Sequence, residues 1–233
     1  MIDIVTINLN NREGLEKTVN SVLNQSFFHK INYIIIDGGS TDGSTEVIES
    51  VKDKLYYWCS EPDKGIFNAF NKAIEHLTGD YVLFLNSGDY LHSDTTIEEI
   101  YDKLDTDIVY GDEMMFKYTN MAMVNYTNIR PVQDQLSKYP DELDEGFFKR
   151  SALPHQSTFI KVLLQKQHKY DENCVIAGDW KLTREAIMEN GATYKHVPMI
   201  VSHYGLDGIS AKKYDIFVRE KENYYRKLKD KDK

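Results

Sequence analysis

The hydrophobic residues of this chain follow two rhythms. Short runs that are apolar at nearly every position, "IDIVTIN" (2–8), "INYIIID" (31–37) and "YVLFL" (81–85), have the length and β-branched content of strands covered on both faces. Between them, apolar residues recur every three or four positions. Leu15, Thr18, Val19, Val22 and Leu23 form one such stripe, with Asn10 or Asn11 placed to cap its start. Phe67, Phe70, Ile74 and Leu77 form another in "GIFNAFNKAIEHL". "GGSTDGS" breaks the second strand with turn residues, and a helix is expected from there to about Val51. "LYYWCS" predicts a further strand, "TIEEIYDKL" a helix and "DIVYGD" a fifth strand. Strands alternating with helices predict βαβ crossovers and a mostly parallel sheet.

The rhythm loosens after Asp112. "EMMFKYTNMAMVNYT" reads as a hairpin turning at Thr119-Asn120, and residues 128–154 read as irregular with short helical pieces. "HQSTFI" predicts a strand, "IAGDWKLTREAIMENG" a helix closed by Gly191, and "ATYKHVP" and "MIVSHYG" two more strands. Tyr214, Phe217, Val218, Lys221, Tyr224, Tyr225 and Leu228 then fall on one helical stripe. No repeat and no Pro/Gly/Ser linker interrupts the chain, so residues 1–210 are expected to form one domain, with 113–210 packed on 1–112 and a basic amphipathic helix over 211–233.

Composition narrows the partners. With 233 residues, 41% of them hydrophobic, the chain can bury the core of one large domain. A net charge of -9 argues against nucleic acid as a partner, because phosphate binding needs a basic footprint. The charge is uneven: residues 211–233 carry +4 and the rest -13. That basic tail is expected either to pack on the domain or to rest on an anionic membrane surface. Cys59 and Cys174 stand far apart in no metal or disulfide pattern. The N-terminus reads as a first strand rather than a leader, and no apolar run approaches the roughly 20 residues of a membrane span. A reducing, cytoplasmic setting is expected, with the inner face of the cell membrane reachable through the tail.

Candidate chemistry gathers where strands end. Asp37-Gly38-Gly39-Ser40, Asn86-Ser87-Gly88-Asp89 and Gly111-Asp112 each put polar residues after a buried run. In open α/β sheets, ligands lie outside the carboxyl ends of the strands. Asp37 reads either as a turn former or as an acceptor for a base N–H. Asp63 and Lys64 open a helix in which Asn68 and Asn71 interrupt an otherwise buried face, which suggests that part of this loop faces a ligand. Carboxylates such as Asp89 suit a divalent metal that also binds a diphosphate. His155, Asp179 and His203 are the polar candidates of the second half. Each also has a purely structural reading, as a core histidine, a helix N-terminal acid and a strand histidine.

Taken together and in order, "IDGGSTDGS", "SEPDKGIFNAFNKAI" and "GDYVLFLNSGD" resemble the family 2 glycosyltransferases of the GT-A fold, closest to the branch that makes bacterial surface polysaccharides of the colanic acid type. The resemblance covers about residues 2–210 and is most specific over the first 110. It implies an α/β fold: a mostly parallel, Rossmann-like nucleotide-binding sheet over 1–112, and a smaller mixed acceptor-side region over 113–210. It implies transfer of a sugar, with inversion, from a nucleotide sugar (a UDP-sugar through Asp37) to a hydroxyl of a glycan or lipid-linked acceptor. Asp37, Gly38, Asp63, Lys64, Asn86, Ser87 and His155 would bind the donor. Asp89 and His203 would hold Mn2+ or Mg2+, and Asp179 would be the general base. The family's commoner Asp-x-Asp-Asp motif reads Asn-Ser-Gly-Asp here, so Gly88 stands where many members place a metal ligand. Two other readings compete: a nucleotidyltransferase, disfavoured by the lack of a Gly-rich basic loop near the N-terminus, and a non-catalytic nucleotide-sugar-binding subunit.

Overall fold

In the computed structural model, which describes residues 1–118, 131–205, 208 and 212–231, the apolar runs become the centre of one nine-stranded sheet. β1 (Ile2–Asn8), β2 (Ile31–Asp37), β3 (Tyr57–Ser60) and β4 (Tyr81–Phe84) lie parallel in the order β3-β2-β1-β4. Their β-branched residues are buried on both faces. On one face Ile2, Ile4, Tyr33 and Ile35 pack under α1 (Arg12–Leu23), α2 (Ser44–Val51) and α4 (Thr96–Tyr101). On the other, Val5, Ile7, Ile34 and Phe84 pack under α3 (Ile66–Ile74) and α7 (Gly178–Met188).

The second half extends this sheet. β8 (Thr158–Lys161) runs antiparallel to β4, and β6 (Ile108–Tyr118) runs antiparallel to β8 and so in the direction of the parallel strands. β9 (Tyr194–Gly205) lies parallel to β6, and β5 (Tyr90–Leu91) closes the far edge against β9. β7 (Pro131–Ser137) pairs antiparallel with the outer half of β6. Two short helices, α5 (Glu145–Arg150) and α6 (Val162–Gln167), flank β8 in sequence. The last helix, α8, spans Tyr214–Lys231.

Several expectations change. The fifth strand does not end at Asp112 but continues to Tyr118, because its outer half gains partners in β7 and β9. Residues 131–137, read as irregular, form β7; its sequence "PVQDQLS" has no apolar run or alternation that would reveal a strand. The proposed turn at Thr119-Asn120 lies outside the described residues. The two strands read around Pro198 are one: the register with β6 shifts between Val197 and Ile200, and this bulge accommodates a residue without an N–H. The aromatic stripe of the C-terminal helix faces the protein. Phe217, Tyr224 and Tyr225 pack on the core, Lys221 is buried, and Tyr214 and Val218 are exposed. Among the described residues, no helix is long and apolar enough to cross a membrane.

Candidate active site

The parallel register aligns Asn8, Asp37 and Ser60 side by side at the carboxyl edge of the sheet. Asp37 is fully buried and receives five donors: Asn8 Nδ2 (2.7 Å) and Ser40 Oγ (2.6 Å) on Oδ1, and Ser60 Oγ (2.6 Å), Ser40 N (2.9 Å) and Gly39 N (3.2 Å) on Oδ2. Burial alone would raise its pKa, but the bonds from Ser40, Ser60 and Asn8 outweigh it and hold the carboxyl below its ordinary value. With every lone pair engaged, Asp37 shapes the loop rather than reaching out of it, which departs from its expected contact with a base. Asp63, half-buried, lies over Gly38 with Oδ2 turned toward it, and its Oδ1 accepts the Gly65 N–H at 2.8 Å. Lys64 is exposed beside it.

Asn68 and Asn71, taken from sequence as signs of a ligand, have protein partners. Both donate to Glu172, at 3.0 and 2.9 Å, and Asn71 also exchanges two bonds with the backbone of Tyr170. They tie α3 to the segment that leads into α7.

The Asn86–Asp89 turn leaves β4 and folds back on α1. Thr18, read only as part of a helical stripe, organises it: its hydroxyl donates to the Asp89 carbonyl (2.6 Å) and accepts the Gly88 N–H (3.0 Å). Asn11 Nδ2 donates to the Ser87 carbonyl at 2.9 Å. Gly88 holds φ +106°, which a side chain would strain. Asp89 is buried, with Oδ1 on the Gly205 N–H of β9 at 3.2 Å. His203, opposite Tyr90 in the β5–β9 pairing, stacks on that ring at 4.4 Å and lies 2.9 Å from His92 through Nε2. Among the described residues, no three His, Cys, Asp or Glu side chains converge on one point. One protein carboxylate completed by substrate phosphates is still a common arrangement for a hard cation, and Asp89 is the buried carboxylate of this turn.

Topology brings the second half to this turn. Because β8 runs antiparallel to β4, the residues just before β8 lie beside those just after β4. His155 thus meets Asn86, Nε2 to Nδ2 at 3.1 Å. Its Nδ1 meets Asp179 Oδ2, also at 3.1 Å. Asp179 stands in the first turn of α7, about one-fifth exposed, with Oδ1 on the Trp180 N–H at 2.7 Å. That helix start reaches the site because Gly178 lacks a Cβ, which would lie 2.7 Å from the Phe67 ring. Burial disfavours the imidazolium of His155. The Asp179 hydrogen bond and the charges of Asp179, Asp89 and Glu113 outweigh that and raise its pKa. Glu113, missed in the sequence, is buried under Tyr139 (2.7 Å to Oε1) and Gln156, and burial pushes its carboxyl up. Asp112, expected to face a ligand, instead accepts His196 Nε2 and the Tyr139 N–H, both at 3.0 Å.

The site therefore joins a polar loop system at the ends of β1, β2 and β4 to a carboxylate that is partly exposed. Such a pair suits binding of a polar ligand beside a group able to accept a proton.

Residues 3–166 match the family model described as glycosyl transferase family 2. An uncharacterized glycosyltransferase of Mycobacterium tuberculosis is 28% identical over 80% of this chain and 69% of its own length. The Bacillus subtilis glycosyltransferase TuaG, assigned to teichuronic acid biosynthesis, is 37% identical over 38% of this chain and 36% of its own. Among solved structures, S. aureus TarS in complex with UDP-GlcNAc superposes with a TM-score of 0.67 at 17% identity over 88% of this chain, which spans 58% of that one. The mannosyltransferase PcManGT of Pyrobaculum calidifontis, in complex with GDP-Man and Mn2+, gives 0.63 at 12% identity over 91% of this chain and 59% of its own.

Proposed function

The chain belongs to glycosyl transferase family 2, and from that premise we propose that it is an inverting transferase moving a sugar from a UDP-sugar to a hydroxyl of a glycan or lipid-linked acceptor in the synthesis of a bacterial surface polysaccharide. The observation that supports this reading is the junction of Asn86 with Asp179 through His155, which brings a carboxylate beside the Asn86–Asp89 turn. The UDP and surface-polysaccharide assignments draw on the UDP-GlcNAc complex of TarS and on the naming of TuaG.

In this mechanism Asp63 and Gly38 border the nucleotide with Lys64 at the rim, and Asn86 and Ser87 approach the donor beside the diphosphate. Asp179 accepts the proton of the acceptor hydroxyl. As it does, the acceptor oxygen bonds to the anomeric carbon from the face opposite the leaving group. The carbon–oxygen bond to the diphosphate breaks, and its electron pair leaves with the diphosphate. The transition state is oxocarbenium-like, as in glycoside hydrolysis. Asp89, with His203 nearby on β9, would hold a divalent metal. When bound, such an ion would neutralise charge on the diphosphate.

The test is thermal stabilisation by UDP, GDP, CDP and dTDP, each with and without Mn2+. A ligand at about 100 times its Kd adds about 2.7 kcal/mol of stability, readily seen in the melting temperature. A UDP-selective shift, increased by Mn2+, is expected. The absence of a shift with every nucleotide in folded protein would overturn the reading.

A further inference from the structure

We propose that His155 is a positioning residue, a clamp whose imidazole joins Asn86 on the donor side to Asp179 on the acceptor side. The inference rests on the proposed function only for the roles of those two ends; the clamp itself rests on geometry.

An ionised carboxylate can only accept hydrogen bonds. The 3.1 Å contact between Asp179 Oδ2 and Nδ1 therefore places a proton on Nδ1. A neutral imidazole then presents a lone pair at Nε2, and Asn86 Nδ2, also 3.1 Å away, donates to it. The two contacts together select one tautomer of His155 and one orientation of the Asn86 amide. That orientation turns Oδ1 of Asn86 away from the histidine. The atom is buried and has no hydrogen-bond partner in the structure. A buried carbonyl oxygen without a donor is unfavourable, so the histidine contacts hold the amide in this orientation against a cost.

The chain of constraint then runs through the site. Turning the amide over would set Oδ1 against the lone pair of Nε2, two acceptors face to face. The amide holds Nε2 as an acceptor, and Nδ1–H holds the base carboxylate. The ring itself has little freedom. Phe70 meets it edge-on at 6.1 Å, and Phe70 packs in turn on Tyr170 at 4.9 Å. The backbone beneath it is a helical turn closed by Ser157 N–H on the Pro154 carbonyl at 2.9 Å. Besides Asp179, the charges of Asp89 and Glu113 act on the imidazole.

The experiment is 15N NMR of the histidine ring in the full chain, with the pH raised until the His155 resonances stop changing and the ring is neutral. His155 is assigned by its loss in His155→Gln. The Nδ1–H tautomer is expected in the unliganded protein. Asp179→Ala, which removes the acceptor, should abolish that preference. Adding UDP should shift the Nε2 resonance in the wild type and not in Asn86→Ala. A dominant Nε2–H tautomer, or a UDP response unchanged by Asn86→Ala, would overturn the clamp. The unliganded tautomer is decisive even where a variant fails to fold. If no nucleotide raises the melting temperature, the proposed function fails, while the unliganded spectrum still reports on the clamp.

Discussion

Asp179 keeps Oδ1 on the N–H of Trp180 and gives Oδ2 to His155, so an amide at this position, with one accepting oxygen, preserves one of these two bonds and the shape of the side chain. Asp179→Asn removes the basicity but not the shape. If Asp179 is the base, turnover should fall by about 10²–10⁴-fold, while UDP still raises the melting temperature. A variant with wild-type turnover would remove Asp179 from the chemistry. Asp89→Asn can still accept from the Gly205 N–H, but it loses the charge that a cation requires. The expected outcome is a UDP shift that no longer grows with Mn2+, in a protein that melts normally without ligand. Asp37 illustrates how far a sequence motif carries. Its position at a strand end was legible, but whether its oxygens pointed at a ligand or at their own loop depended on Asn8 and Ser60, which only the register of three strands brings to it.

At the scale of elements, α8 anchors the start of the helix that carries Asp179. Glu220 accepts the backbone N–H groups of Val175 (2.6 Å), Ile176 (3.1 Å) and Ala177 (2.8 Å), just before α7. Leaving such donors unpaired costs about 1–3 kcal/mol. Glu220→Ala should therefore lower stability by roughly that amount, and turnover with it, as a denaturant titration and a rate measurement would reveal. The next residue, Lys221, is buried over Trp180 and Phe217, with Nζ on the Ser151 carbonyl. Burial pushes its pKa down to about 8. The unfolded chain keeps the proton up to about pH 10.4, so between these values the unfolded state binds more protons and stability rises with pH. Below about pH 8 both states are protonated and the full penalty applies. Lys221→Met is expected to melt higher than wild type at neutral pH and to lose the rise above pH 8. A parallel pH dependence in the two proteins would show that Lys221 is not desolvated in solution. The stripe of α8 was legible from spacing, but the surface it covers was not. Trp180, its main contact, lies on a helix more than 30 residues earlier.

At the scale of the molecule, the two halves of the chain share one sheet. Cutting the chain after Asp112 would leave β4 an open edge, because β8 is its neighbour on that side. It would also strip Phe70 and Phe84 of Tyr170, which packs on both. A fragment of residues 1–112 holds Asp37, Asp63, Asn86 and Asp89, yet it is expected to melt without cooperativity and to ignore UDP. Calorimetry with and without UDP decides this, and a fragment that binds UDP would make the first half a domain in its own right.

The central strands and their helices were determined by the sequence itself, because parallel strands buried on both faces must be apolar throughout and helices packed on them must be apolar at helical spacing. The turns Asp37–Ser40 and Asn86–Asp89 were legible for the same reason, as polar residues directly after such runs. The tertiary structure alone decided which polar groups meet. Neither β7 nor the continuity of β9 through Pro198 is written in local periodicity, since both depend on partners along β6. The contacts of His155 with Asn86 and Asp179 span 69 and 24 residues of chain. They exist because β8 enters the sheet antiparallel, and no local preference encodes the direction in which a strand joins its neighbours.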